Sequence, residues 1–238
     1  MIRPTIAIAR RELAAYFASP MAYVIAALFL VVAGYFFSVN VIFSRQATVS
    51  VLFQTMYTIL LLLSPALTMR LLSEEQKSGT IELLMTAPVR EWYVVLGKFL
   101  AGFVFLCSMV ALTAFYPLLL AIFGNPDVGG IIGGYLGAIL FCAAIVSVGL
   151  FASSLTQNQI VAAVLTFTIL LLLWVIDSVS SIFGGPIGSA LAYLAMYPHF
   201  NDMTRGVIDT KDIVYYVTMV VGALFLTWRS LEARRWKA

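Results

Sequence analysis

Long stretches without a charged residue alternate with short charged clusters along almost the whole chain. Residues 13–44, 46–69, 99–126 and 128–176 contain no Asp, Glu, Lys or Arg. A charge at the centre of a bilayer costs at least about 2.5–3.5 kcal/mol, so the gaps between charges mark segments able to sit in lipid. A helix needs about 20 residues to cross the hydrocarbon layer. The stretch 128–176 is long enough for two crossings, and the polar run SSLTQNQ at 153–159 is the natural turn between them. The pattern predicts six spans, at about 21–43, 50–72, 96–122, 131–152, 160–182 and 212–229. The sixth is short of uncharged residues, so Lys211 is expected to snorkel outward and Arg229 inward. Pro65 and Pro117 each remove a helix hydrogen bond and are expected to kink spans two and three.

Composition agrees. Of the 238 residues, 62% are hydrophobic and 11% charged, with a mean hydropathy of +1.01. An ordinary soluble domain is excluded. The expectation is an all-α polytopic protein forming a single transmembrane domain, 1–238, with membrane lipids as its solvent. Orientation follows from the basic residues. With both termini inside, Arg3, Arg10, Arg11, Arg70, Lys77, Arg90, Lys98, Arg229, Arg234, Arg235 and Lys237 are cytoplasmic, while Arg45, Arg205 and Lys211 lie outside. The positive-inside rule therefore places both termini in the cytoplasm. The net charge of +3 is a topology signal and gives a nucleic-acid partner no support.

Residues 1–19 read as an interfacial helix rather than a secretory signal. Ile2, Ile6, Ala9, Leu13, Tyr16 and Phe17 share an arc of about 100°, and Arg3, Arg10 and Arg11 lie outside it. Pro20 allows the turn into the first span. A disordered basic tail is the competing reading.

Few residues offer chemistry. Cys107 and Cys142 fall midway along spans three and four, where cysteine acts as a small hydrophobe. His199 stands alone on the outer side, and no metal-ligand spacing occurs. Gly129, Gly130, Gly133, Gly134 and Gly137 form overlapping GxxxG patterns at the outer end of span four, suited to packing within the subunit or to a dimer seam. Asp177 interrupts the end of span five. A carboxylate there is a functional candidate, though its place near the outer interface also fits a solvated helix end. Asp177, His199, Asp202 and Arg205 are the outer-face candidates. The span interiors are otherwise nearly apolar, which favours a lipophilic or lipid-linked cargo, or none.

The segment 70–98 differs from the rest. Ser78-Gly79 breaks the continuation of span two, Thr80 can cap a new helix over 80–87, and Pro88 suits the start of the next. Ile81, Leu84 and Met85 share one side of that short helix. At about 12 Å it cannot cross a bilayer, so a groove on a partner protein is the natural acceptor. Packing beneath its own membrane domain is the alternative.

EEQKSGTIELLMTAPV at 74–89, followed by GKF at 97–99, resembles the first cytoplasmic loop of ABC-2 type permeases, in the branch of the gliding-motility permease GldF and the nitrous-oxide-reductase accessory permease NosY. The resemblance extends over essentially the whole chain, and the outer segment YPHFNDMTRGVIDTKD at 197–212 points to the GldF-like side. It implies a type V exporter-like fold in a bacterial inner membrane. Glu75, Gly79, Thr80, Ile81, Glu82, Leu84, Met85 and Pro88 would then form a coupling element, in a loop 73–95, seated in a nucleotide-binding subunit. Ser154, Thr156, Gln157, Asn158 and Gln159 would form a second cytoplasmic contact. It further implies two copies of that ATPase, a second permease copy in a homodimer rather than a heterodimer, and a GldG-like extracytoplasmic partner above the outer segment 183–211.

The chain has no P-loop motif. Its one Gly-Lys, Gly97-Lys98, is followed by Phe99. The expectation is therefore no enzyme activity and no cofactor on this chain, with ATP and Mg held by the partner ATPase. Three functions remain: ATP-driven export or extrusion, force transmission to an extracytoplasmic partner without a solute, and an ATP-independent carrier or channel. The third leaves the loop unexplained.

Overall fold

The computed structural model describes residues 2–44, 48–80, 90–124 and 126–235, and among these the chain is helical with no strand. In chain order the helices are α1 Ile2–Ala18, α2 Pro20–Ser44, α3 Ser50–Thr68, α4 Arg70–Lys77, α5 Glu91–Leu112, α6 Phe115–Phe123, α7 Val128–Leu155, α8 Gln159–Phe183, α9 Gly185–Leu194, α10 Met196–Thr204 and α11 Thr210–Arg235. Among the described residues six segments are long and apolar enough to cross a membrane: Pro20–Phe43, Ser50–Lys77, Glu91–Ile122, Val128–Leu155, Gln159–Ser180 and Thr210–Ala233. An even number of crossings returns the chain to the side it started from. That side, with α1, α4 and the end of α11, is called the terminal face here, and the opposite side the distal face.

Local chemistry sets the breaks. The α5–α6 interruption falls at Thr113 and Ala114, one turn before Pro117. Proline cannot donate to the Thr113 carbonyl, which accepts instead from the Tyr116 N–H at 3.0 Å. Pro65, by contrast, stays inside α3, and the break comes a turn later at Met69. Asp127 caps α7 by accepting from the Gly129 and Gly130 N–H groups at 3.0 and 3.2 Å. Asn158 caps α8 by accepting from the Ile160 N–H at 2.9 Å.

The centre of the bundle is α7, packed by α3, α4, α5, α8, α10 and α11. Its glycine stripe faces inward. A methyl at Gly133 would collide with the Met203 carbonyl, one at Gly134 with the Phe53 ring, and one at Gly130 would come within 3.1 Å of the Thr204 carbonyl. These glycines let α10 and α3 lie against α7, so this face packs within the subunit. Beside them an aromatic cluster fills the core: Tyr57 stacks on Phe141 at 4.3 Å and leans on Phe200 at 5.1 Å.

The first helix is two-sided. Thr5 is buried, Ile8, Glu12, Leu13 and Tyr16 are half-buried, and Ile6 and Phe17 are exposed. The inward face therefore includes Glu12, whereas two residues of the apolar arc point away from the protein. Gly97 permits the approach of α1 to α5, since a methyl there would lie 2.7 Å from the Ile8 side chain. Tyr16 stacks on Phe105 at 5.1 Å and donates to the Leu67 carbonyl at 2.9 Å.

Candidate functional site

The polar residues of the terminal face converge on α4, the stem that carries the chain into the 80–87 segment. Its C-terminal end is closed by the Ser78 N–H donating to the Glu74 carbonyl at 3.0 Å. Gly79 follows with φ of 70°, the left-handed conformation that ends helices and that a side chain rarely adopts. Thr80 faces back toward α4: its hydroxyl lies 2.8 Å from that of Ser78 and 3.5 Å from the Glu75 carbonyl. Ile81, Glu82, Leu84, Met85 and Pro88 lie outside the described residues.

Two buried connections hold the stem in place. The first runs to the end of α7. The hydroxyl of Ser153 accepts from the N–H groups of Leu72 and Ser73, both at 2.9 Å, and donates to the Met69 carbonyl at 3.0 Å. These backbone groups are the ones orphaned where α3 gives way to α4. Gln76 adds a bond from its side-chain amide to the Ser154 carbonyl at 2.9 Å, and Ser230 of α11 reaches the same carbonyl at 3.4 Å. Among the turn residues singled out in the sequence, Ser154 thus meets α4 through its backbone. Thr156 and Asn158 shape the turn itself, with the Asn158 N–H donating to the Thr156 hydroxyl at 3.1 Å. Gln157 is exposed and Gln159 opens α8.

The second connection is ionic. Lys98, with only 2% of its side chain exposed, lies 3.0 Å from Glu75 of α4 and 3.4 Å from Glu12 of α1. Arg11, at the exposed rim, adds contacts of 3.0 Å to Glu12 and 3.5 Å to Glu75. Two cations and two carboxylates balance. A lysine this deep is tolerable only with its charge matched, because the desolvation penalty of an unpaired ion is several kcal/mol. The cluster ties α1, α4 and α5 into one body at the point where the chain leaves the bundle.

On the distal face the candidates separate into two places. Asp177 is half-buried and lines an open cleft of about 390 Å³ with Gln54, Thr58, Trp174, Val175, Ser178 and Tyr197. His199 is elsewhere, buried beneath α9, and it is not solitary. Its Nδ1 lies 2.6 Å from a carboxylate oxygen of fully buried Asp212, and its Nε2 lies 3.0 Å from the Tyr193 carbonyl. The ring stacks on Tyr215 at 4.2 Å. Tyr215 and Tyr216 donate to the carbonyls of Leu194 and Met196, at 2.7 and 2.9 Å. These contacts pin α9 and α10 to the start of α11. Asp202 and Arg205 stand outside this group. Asp202 approaches Lys211 at 3.8 Å, and Arg205 is exposed. The Lys211 N–H and ammonium beside Asp209 hold its carboxyl below the usual carboxylate range.

Lys98, Glu12, Gln76, Ser153 and Asp212 were not singled out by sequence reasoning. A faint signal existed for Lys98, which sits inside the predicted span beginning at 96 rather than at its edge. Ser153 and Asp212 fell within the segments 153–159 and 197–212, but their roles depend on partners 80 and 13 residues away.

Comparison with known proteins adds one finding. The family described as ABC-2 family transporter protein matches residues 6–210, more than half of the chain. No curated protein matches it.

Proposed function

The chain belongs to the ABC-2 family of transporters, as a membrane permease subunit of an ABC transporter with an ABC ATPase as its partner, and from that premise we propose how it works. ATP hydrolysis by the partner, which holds ATP and Mg, drives export or extrusion from the cytoplasmic membrane of a bacterium, with both termini and the loop 73–95 in the cytoplasm. The 80–87 segment seats in the ATPase through Ile81, Leu84 and Met85. Two permease copies and two ATPase copies form the working unit.

The observation that carries this reading is the double anchorage of α4. A stem bonded to α7 through Ser153 and Gln76, and to α1 and α5 through the Glu75–Lys98–Glu12 cluster, cannot move alone. A push delivered to its tip is therefore passed to three further helices at once as rigid-body motion. Packing of this kind suits a lever better than a passive pore.

A second reading, force transmission to a GldG-like extracytoplasmic partner, is favoured by the distal cap. The buried His199–Asp212 pair makes α9 and α10 a firm platform on α11, where a loose loop would dissipate movement. The GldF-like branch rests on the outer segment 197–212 and belongs to this second reading.

The test is reconstitution of the chain with its ATPase in lipid nanodiscs. The chain alone should hydrolyse no ATP, and the complex should contain permease and ATPase in equal numbers. Failure of the pair to assemble, or full ATPase coupling after removal of residues 80–87, would refute the proposal.

A further inference from the structure

The Asp177 cleft combines features that the export reading does not use. It lies near the distal end of the bundle: Gln54 and Thr58 come from the first turns of α3, Trp174, Asp177 and Ser178 from the last turns of α8, and Tyr197 from α10. Its wall holds one carboxylate, two large aromatic rings and a set of hydrogen-bonding side chains. Among the described residues Asp177 forms no ion pair, although distal cations exist in Arg205 and Lys211. Beside the cleft, Tyr57 touches the Tyr197 ring at 5.4 Å, and its buried hydroxyl has no hydrogen-bond partner among the described residues. A half-buried carboxylate with no cation beside it among the described residues needs a ligand or water to compensate it.

Carboxylate and aromatic faces together recognise one chemical group well. A substituted ammonium is attracted by the charge of the carboxylate and by the electron-rich faces of Trp and Tyr. The amide and hydroxyl groups of Gln54 and Thr58 suit the polar substituents such an amine carries. The volume of about 390 Å³ lies within the range of small-ligand sites and exceeds what the ammonium alone needs. We propose that this cleft binds a substituted ammonium group, with Asp177 as its counter-ion and Trp174 and Tyr197 as its aromatic walls. Two sources carry that group: the headgroup of a phospholipid in the distal leaflet, and a soluble amine. As a cargo subsite the cleft rests on the permease reading. Binding itself is measured without ATPase, so the two can fail separately.

The experiment uses the full chain in nanodiscs of anionic phosphatidylglycerol, with Trp92, Trp228 and Trp236 replaced by Phe so that Trp174 alone fluoresces. A choline bearing a nitroxide tests the soluble amine. Phosphatidylcholine labelled with the same nitroxide on its headgroup tests the lipid, and an uncharged hydroxyl nitroxide is the control. At least one ammonium probe should quench Trp174 saturably, and the neutral nitroxide should not. Asp177→Asn should weaken that quenching about tenfold, the equivalent of 1.4 kcal/mol, and Asp177→Glu should retain most of it. Saturation by the choline probe identifies a soluble amine, and saturation by the labelled lipid alone identifies a headgroup. Equal quenching by charged and neutral probes overturns the proposal. So does quenching unchanged in Asp177→Asn, or no quenching at all, as when a second copy covers the cleft. Helix content and gel-filtration profile matching the parent confirm that the Asn variant is folded.

Discussion

Replacing Lys98 by Met removes the only buried cation of the terminal-face cluster while keeping most of its side-chain volume. Each of its two contacts, at 3.0 and 3.4 Å, corresponds to about 5 kcal/mol of attraction at an effective dielectric near 20. Much of that is offset by the desolvation of Lys98, and removing one member of a buried pair typically costs about 3–5 kcal/mol. Glu12 and Glu75 retain 18% and 17% exposure and can recover some hydration, which places the cost near the lower end, about 3 kcal/mol. That is about a 100-fold rise in the population in which α1 and α4 have left α5. Hydrogen exchange on the protein in nanodiscs reads it directly: amides over 5–16 and 71–77 should exchange about 100-fold faster, while those of α7 stay unchanged. A triple variant, Lys98→Met with Glu12→Gln and Glu75→Gln, should recover most of the protection, since no charge is left unmatched. Unchanged exchange in α1 and α4 of the single variant would show that packing alone holds them, and the lever argument would lose its ionic half.

Four further outcomes are expected. Ser153→Ala withdraws the acceptor of two buried N–H groups and should destabilise the α4 stem by about 1–3 kcal/mol, read as faster exchange confined to 69–76. Ile81→Asp with Leu84→Asp should leave membrane insertion intact and abolish co-purification of the ATPase; retained capture would rule out 80–87 as the docking element. Gly79→Val forces a β-branched residue to φ near 70° at a cost of about 1–2 kcal/mol, and should lower ATPase coupling while the complex still assembles. Finally, in a chain lacking Cys107 and Cys142, single cysteines at Gly79 and Asn158 should resist impermeant thiol reagents in intact cells and one at Asp209 should react; labelling of Gly79 from outside would invert the topology.

The helices were legible because lipid imposes a one-dimensional rule. Uncharged runs must span, and charges or caps such as Asp127 and Asn158 must end them. The glycine stripe was legible as a close-packing face but not as to partner, because Gly133 faces Met203, a residue whose position depends on the fold of the whole segment 183–211. The charge cluster was hidden for a related reason. Glu12 and Glu75 look like ordinary surface charges and Lys98 stands only just inside a predicted span, and only the packing of α1 along α5 shows them to be one group. His199 illustrates the same limit, since its partner Asp212 stands on another helix, where the sequence suggests a charge at the membrane boundary. Residue type announced the spans. Pairing across the bundle required coordinates.

The centrality of α7 bears on how the protein is made. In its most apolar window 72% of the residues are buried, against 17% for α8 and 22% for α11. Its packing partners α3, α4 and α5 leave the ribosome before it, and α8, α10 and α11 leave after it. Until synthesis is nearly complete, the α7 surface destined for α10 and α11 must therefore face lipid or the insertion machinery. Glycine suits that interval, because a nearly smooth helix face has no polar group to be trapped by lipid and no bulky side chain to be shed when α10 arrives. Maturation of this subunit consequently has a late closing step, the arrival of the last two partners on a fourth span already in place. A chain released before residue 196 would carry five of the six spans and lack the α10 and α11 residues that complete the core, among them Phe200 and Tyr216.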